Sequence, residues 1–494
     1  MNAARGGWRA RLGSALAASV IVLLTACGGS SGSSTGSEVA SAQSVDSGSA
    51  DILGKKNNNG KGGNSTGGTS TGGTSTGDTS TGGTTTGGTT TGGTTAGDTT
   101  TGGTTTGGTT GGTSGGSTIV GRIVGPEFFG MHIAAQTYDG WPSVKFSIQR
   151  TWDSWPGVAW SDLNPSNGVY NWSNLDALVN DSLAHGVDLV YTFGYTPTWA
   201  SSNPGGACDG GGTASCYAPT SAAWTNFVTA LTTRYKGKIK YYELWNEPNA
   251  GNFWKGSNAQ LVEMARIAYP IIRNAGASVL SPAPQGSSSA SWLDGYLAAG
   301  GTAYTDILAF HGYLYGPPEY LNALMTDMRS LRSKYGITGK PLWDTEHSWG
   351  DSTWPMGSDQ DQQAAWLSRY LVLSVHHAID RSFWYGWEHF NWGTLYDRTT
   401  KTVLKPGIAY GQVYDWLVGA GFSPCVTSGN LYSCKLSRAN GYEAQIVWSA
   451  SGSSSYVAPS GYTRMRMIDG SSAAVSAGQT LSVGMKPVLV EKLQ

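Results

Sequence analysis

The sequence predicts a (β/α)8 barrel followed by a small β-sandwich. Three observations carry this prediction. Eight short apolar, strand-like runs alternate with amphipathic, helix-like stretches over about 290 residues beginning at Ile119, the length and rhythm of a closed barrel. No Gly-x-Gly-x-x-Gly turn follows the first strand, which disfavours an open nucleotide-binding sheet. Past Leu417 the helical periodicity stops, and β-rich runs separated by Gly/Ser turns take over.

In order, the strand candidates are residues 128–133, 145–152, 188–195, 239–245, 278–283, 307–313, 341–346 and 381–387. The stretch 172–185 shows why the intervening segments read as helices: Leu175, Leu178, Val179 and Leu183 recur at helical spacing. Residues 222–235, 257–275, 319–335 and 359–377 follow the same pattern. In the C-terminal part, 443–449, 463–468 and 480–490 read as strands of a layer closing the flank of the barrel. The domain division is therefore 119–417 for the barrel and 418–494 for the sandwich.

The rest of the chain has no means of folding by itself. Glycine supplies 72 of 494 residues, and the excess is concentrated in Gly/Ser/Thr near-repeats over residues 28–118. With almost no apolar side chain there, nothing offsets the entropy of ordering the segment, which reads as a flexible tether with a reach of roughly 50 Å. Gly73-Thr74-Ser75-Thr76-Gly77 matches the nucleophile-elbow pattern, but outside a strand–helix turn it is an accident of the repeat. Upstream, Arg5, Arg9 and Arg11 precede a short apolar run, residues 12–24, too brief to span a bilayer and suited to an export signal. The net charge of −1 and the 13% share of charged residues argue against a phosphate-neutralising nucleic-acid binder. Twenty tryptophans beside so few charges instead suit neutral, ring-shaped ligands.

Five cysteines are present. Cys208 with Cys216, and Cys425 with Cys434, are close in sequence and would form two local disulfides in an oxidising compartment. Neither pair has Cys-x-x-Cys spacing or a clustered histidine, which argues against zinc. No metal or cofactor motif appears elsewhere, and none is expected.

The chemistry centres on Tyr241-Tyr242-Glu243-Leu244-Trp245-Asn246-Glu247-Pro248-Asn249. Strand alternation puts Glu243, Trp245 and Glu247 on one face, and Pro248 leaves Glu247 at the C-terminal end of the strand, where barrel enzymes keep their chemistry. Three strands later, Pro341-Leu342-Trp343-Asp344-Thr345-Glu346-His347 delivers Glu346 in the same way. By alternation Asp344 shares the face of Glu346, one pleat deeper, and rivals it. Two carboxyl groups in one pocket, one protonated and one ionised, are what glycosidic cleavage requires. Arg150 ends the second strand, and His132 ends the first. His311 and Tyr313 alternate onto one face at the end of the sixth. Trp199, Trp245, Trp349 and Trp387 fall at or just past strand ends, where indoles can floor sugar subsites.

At these residues the chain resembles clan A glycoside hydrolases, which carry an acid/base in an Asn-Glu-Pro motif on strand four and a nucleophile on strand seven. Arg150-Thr151-Trp152-Asp153, the run Trp160…Tyr170-Asn171-Trp172…Leu175-Asp176, and Thr196-Pro197-Thr198-Trp199-Ala200-Ser201 look like family 39. That family includes β-xylosidases and exopolysaccharide endoglycosidases. The resemblance implies Glu247 as acid/base, Glu346 as nucleophile, Asn246 on the sugar 2-hydroxyl and Arg150 on the nucleophile. It further implies Tyr313 as the group orienting that nucleophile and Trp387 as an aromatic platform. His132 is a candidate for a sugar hydroxyl. His311 fits either an orienting role or a hydrogen-bonded core histidine. Leu24-Thr25-Ala26-Cys27 resembles the bacterial lipoprotein signal, which implies a lipidated Cys27 and, with no acidic residue following it, an outer-membrane location. The expected partners are a polysaccharide and the membrane, with no nucleic acid, and the expected state is a monomer. A surface glycan-binding protein without catalysis and a transglycosylase are the alternatives.

Overall fold

The computed structural model describes residues 119–136, 140–349, 359–388 and 393–493. The expected export signal, Cys27, the Gly/Thr-rich segment and the loop 350–357 lie outside these residues.

All eight expected strands are present and parallel: β1 (Phe129–Met131), β2 (Ile148–Thr151), β3 (Asp188–Thr192), β4 (Tyr241–Glu243), β5 (Ser278–Leu280), β6 (Leu308–His311), β7 (Leu342–His347) and β8 (Arg381–Trp384). They pair in the order β5-β4-β3-β2-β1-β8-β7-β6, and single parallel bridges Leu280–Ile307 and Gln285–His311 join the two ends of the sheet. The barrel is an enclosed layer of eight strands. Among the described residues the helices of ten residues or more are α1 (Ser173–Ala184), α2 (Ser221–Arg234), α3 (Asn258–Asn274), α4 (Ser289–Ala298), α5 (Leu321–Lys334), α6 (Gln360–His376) and α7 (Lys405–Leu417). The Ser-rich start of α4 and the Pro406-Gly407 pair in the first turn of α7 mask these two helices in the sequence; proline is tolerated there because first-turn N–H groups have no intrahelical partner.

Two apolar layers fix the barrel. Inside it, Ile148, Val190, Leu280, Ile307, Ala309, Trp343 and Phe383 fill the floor. Gly130 belongs to this layer because a Cβ there would run into the Phe383 ring. A larger core lies between strands and helices and runs on into the C-terminal sheet. Above the floor the interior turns polar, and Arg150 and Glu243 are fully buried there.

The C-terminal sheet is antiparallel. Strand Glu443–Ser449 lies between Leu431–Ser437 and Val488–Lys492, and Ala444, Ile446 and Trp448 pack towards the barrel while Val447 faces a second small core with Tyr456 and Leu481. Trp448 donates its indole N–H to Glu319 Oε1 at 2.8 Å, which fastens the sheet to the barrel flank. The run 480–490 is two strands, not one: Thr480–Val483 pairs with Ser454–Val457, and Val488–Lys492 joins the main sheet. The cause is the turn between them, where Gly484 bends the chain and Pro487 has no N–H to give a ladder. Arg122–Ile123, expected in the barrel, is instead laid antiparallel on Gly421–Phe422 at the edge of this sheet.

Both expected disulfides are formed, Cys208–Cys216 and Cys425–Cys434, closing loops with sequence separations of 8 and 9. The second is worth about 2.5 kcal/mol in the chain-entropy account. Removing it with Cys425→Ser and Cys434→Ser together should lower the melting temperature by roughly 3 °C. Calorimetry under oxidising conditions checks this, and melting with the wild type would refute it.

Candidate active site

The regular ladder of β4 ends at Glu243. Beyond it the chain is held to the neighbouring strand by the Asn246–Ala283 bridge and by Glu247 N–H donating to the Ala283 carbonyl at 2.9 Å. Glu247 itself adopts φ = 40°, a left-handed conformation unusual for a side chain of this size and concentrated at functional sites. Strict alternation has already failed at the bend at Leu244, where the ladder stops. Trp245 does not share the face of Glu243 and Glu247: it is fully buried against Trp254 in the strand–helix layer, with its indole N–H on the Phe253 carbonyl. Asn246 and Glu247, adjacent in sequence, both serve the polar interior.

A β-bulge does the same for β7. Phe310 pairs with Asp344 but His311 pairs with Glu346, so Thr345 is an extra residue. The bulge separates the two carboxylates expected on one face. Asp344 lies on the helix side, accepting the Gly312 N–H at 2.9 Å and the Tyr370 hydroxyl at 2.6 Å. Glu346 turns inward with Trp343. The rival nucleophile is thereby a structural group tying β7 to the end of β6 and to α6.

Glu346 is gripped by two donors. Arg150 Nη1 donates to its Oε2 at 2.8 Å, and the Tyr313 hydroxyl donates to its Oε1 at 2.7 Å. Arg150 also bonds Glu243 through Nε at 3.1 Å and through Nη2, and it reaches Asn246 Oδ1 at 2.8 Å. The Asn246 oxygen being occupied, its NH2 is the end left to donate elsewhere. His311 Nδ1 lies 2.9 Å from Glu247 Oε1 and 3.5 Å from Glu346 Oε2. One oxygen of each carboxylate and a ring nitrogen of His311 fall within 4.8 Å of one another. These three residues would also be the candidate ligands for a cation, but the Arg150 guanidinium on Glu346 places a fixed positive charge there and opposes one.

The two carboxyl groups differ in their surroundings. Burial pushes Glu247 well above the usual carboxylate range; the charge of Glu346 pushes it further, and Arg150 only partly opposes this. Burial also raises Glu346, but the guanidinium and the Tyr313 hydrogen bond favour its ionised form directly. The negative charge of the pair therefore belongs on Glu346 and the proton on Glu247. Burial holds His311 well below its ordinary value, with Arg150 adding to the effect, so the imidazole is neutral. Burial and the charge on Glu346 hold Tyr313 in its protonated, donating form.

His132 lies at the edge of this network, its Nε2 3.2 Å from the Thr345 carbonyl and 3.4 Å from Arg150 Nη1. The indoles expected around the pocket are mostly structural. Trp349 is fully buried with its N–H on the Gly316 carbonyl, and Trp387 is 2% exposed with Tyr396 stacked on it. Trp199 is half-buried, bonded to the Asn164 carbonyl and packed on the strand–helix core. Wide indoles fill the curved layer behind the strands, and that demand takes these side chains. The aromatics near the carboxylates are others: Trp152, Tyr195 and Phe253 form a cluster with ring centroids 5.0–5.6 Å apart, and the Tyr385 hydroxyl donates to Asp153 at 2.8 Å. Trp152 and Asp153 belong to the run that carries the family resemblance; Tyr195 and Tyr385 are marked in the sequence by their places just past the ends of β3 and β8, and Phe253, in a loop, carries no signal.

Two buried carboxyl groups thus stand together at the C-terminal ends of strands four and seven of a parallel barrel, as the site of a barrel enzyme would. Residues 167–403 match the family model described as the glycosyl hydrolase catalytic core, and the protein is a glycoside hydrolase. Similar solved structures include a family 39 glycoside hydrolase from the gut symbiont Bacteroides cellulosilyticus, at TM-score 0.60 and 17% identity over 76% of this chain and 83% of that one. A family 30 endoxylanase from Clostridium papyrosolvens gives 0.54 and 14% over 76% and 98%. A family 39 enzyme from Xanthomonas axonopodis pv. citri gives 0.54 and 14% over 75% and 95%. These likenesses establish the fold. No curated protein matches the chain.

Proposed function

We propose that the protein is a retaining glycoside hydrolase of the family 39 type, acting within the chains of an exopolysaccharide or a plant-type polysaccharide. The observation that carries this is the approach of the two carboxylates to within 4.8 Å. Retaining enzymes hold their carboxyl groups about 5–5.5 Å apart, whereas inverting ones need about 6.5–9.5 Å to admit a water between them. Glu346 attacks the anomeric carbon while Glu247 gives its proton to the leaving oxygen; Glu247 then takes a proton from water, which releases the sugar. Arg150 and Tyr313 aim the nucleophile, His311 aims the acid, and Asn246 is placed to donate to the sugar 2-hydroxyl. A lipidated Cys27 and the long segment after it would hold the enzyme at the outer membrane, within reach of a polymer too large to import.

Incubation with arabinoxylan, mixed-linkage β-glucan and bacterial exopolysaccharides, with assay of new reducing ends and NMR of the first-formed anomer, tests the proposal. New ends with retained configuration are expected. Binding without new ends, or lengthened products, would replace it with a lectin or a transglycosylase, and an inverted anomer would remove the double displacement.

Glu243 supplies a pH test. Its carboxylate shares Arg150 with Glu346, and its charge raises both catalytic carboxyls. Glu243→Gln removes that negative charge, so both values fall and the bell-shaped profile of kcat/KM should move towards acid on both limbs. A profile that keeps its position would show that Glu243 has no electrostatic hold on the pair.

A further inference from the structure

A cavity of about 530 Å³ lies on the outer face of the barrel and shares no residue with the carboxylate site. That volume is within the range of small-molecule sites, about 300–1,000 Å³. One wall is Tyr170 and Trp172, and the other is the solvent-facing side of α2, with Asn226, Thr229 and Thr233 exposed.

The aromatic wall is rigid. Tyr170 stacks on Trp172 at 5.0 Å and 9°, Trp172 lies parallel to Phe227 at 6.5 Å and 9°, and Phe227 stacks on the fully buried Trp160 at 4.6 Å and 8°. Four near-parallel rings thus run from the core to the surface and end on half-buried Tyr170. The wall also carries no free charge. Arg234 lies over the Trp172 ring at 5.7 Å, but Asp176 takes its guanidinium in a two-pronged pair, with Nε to Oδ1 at 2.9 Å, and also accepts the Tyr235 hydroxyl. An immobile aromatic surface faced by amides and hydroxyls, with its one cation neutralised, matches the C–H faces and hydroxyl edges of an uncharged sugar chain.

We infer that this groove is a second glycan-binding site, seating a neutral polysaccharide segment away from the carboxylates. The choice of a glycan as occupant rests on the hydrolase reading above; the groove itself does not. Its effect would be to keep a polymer on the enzyme between cleavage events.

The test is affinity electrophoresis of the full chain carrying Glu247→Gln and Glu346→Gln, so that the polysaccharide in the gel is not consumed. Arabinoxylan and mixed-linkage β-glucan are the probes, in separate gels. The disarmed chain should be retarded by at least one of them. Adding Tyr170→Ala, or Thr229→Arg to block the groove from an exposed helix position, should weaken retardation about fivefold, in the range expected for one aromatic contact. Thr229→Arg touches no core residue, so it keeps the test valid if Tyr170→Ala unfolds. Equal migration of the Thr229→Arg and parent chains, or no retardation of the parent by either probe, would overturn the second site. The hydrolase reading is judged separately, by the reducing ends that the wild-type chain releases.

Discussion

Glu346→Gln should lower kcat on any glycoside by on the order of 10⁴-fold, the scale on which losing a covalent nucleophile acts. The substitution keeps the volume and leaves an amide oxygen for Arg150 Nη1, which now lies 2.8 Å from Glu346 Oε2, but an amide cannot displace a leaving group. Folding should survive, because Arg150 retains Glu243 and Asn246 as partners. The sharper version is Glu346→Gly with sodium azide. The small anion would enter the vacated space and attack from the side the carboxylate used, giving a glycosyl azide of inverted configuration. Rescue with that stereochemistry, followed by NMR, identifies the nucleophile; wild-type turnover by Glu346→Gln would dismiss it.

Glu247→Gln should act differently on different substrates. A sugar leaving group departs as a poor alkoxide and needs the proton, so polysaccharide cleavage should fall by about 10²–10⁴-fold, the usual contribution of general acid catalysis. An aryl glycoside with an acidic phenol needs little help in the first step but still lacks the base for the second. A pre-steady-state burst of phenol followed by slow turnover is therefore expected, and azide should relieve the slow step with retained configuration. The alkaline limb of the pH profile should vanish as well, because it reports loss of the Glu247 proton. Equal losses on both substrate types would point to a structural role instead.

Much of this was legible in the sequence, and the failures have physical causes. The eight strands announce themselves because a strand buried on both faces is apolar over most of its floor-side length, and polar residues enter only where it approaches the site, as in Arg150 and Glu346. Glu247 and Glu346 could be placed at strand ends from Pro248 and from strand order. What alternation misjudged is the face of a residue once the ladder is interrupted. The bulge at Thr345 reverses the parity of β7, sending Asp344 to Tyr370 and Glu346 to Arg150, and no residue in Trp343-Asp344-Thr345-Glu346 advertises it. The end of the β4 ladder at Glu243, with a bend at Leu244, does the same for Trp245. The tryptophans misled for another reason: an indole suits a sugar and a curved packing layer equally well, and composition cannot divide them. The hold of Glu243 on Arg150 is a contact between strands, visible only once β2 and β4 stand beside β3.

The strand Arg122–Ile123 has a mechanical consequence. It meets Gly421–Phe422 at the sheet margin, with Arg122 additionally clasping the Ile379 carbonyl and Asp380 just ahead of β8. Were the chain pulled from residue 119, as the proposed anchor would allow, this clasp and the flanking bonds of Val120 to Ser437 and Val124 to Ala420 would bear the load before β1. Force would open these margin contacts before those that β1 makes with its neighbours, as a sacrificial link spares the machine it is bolted to.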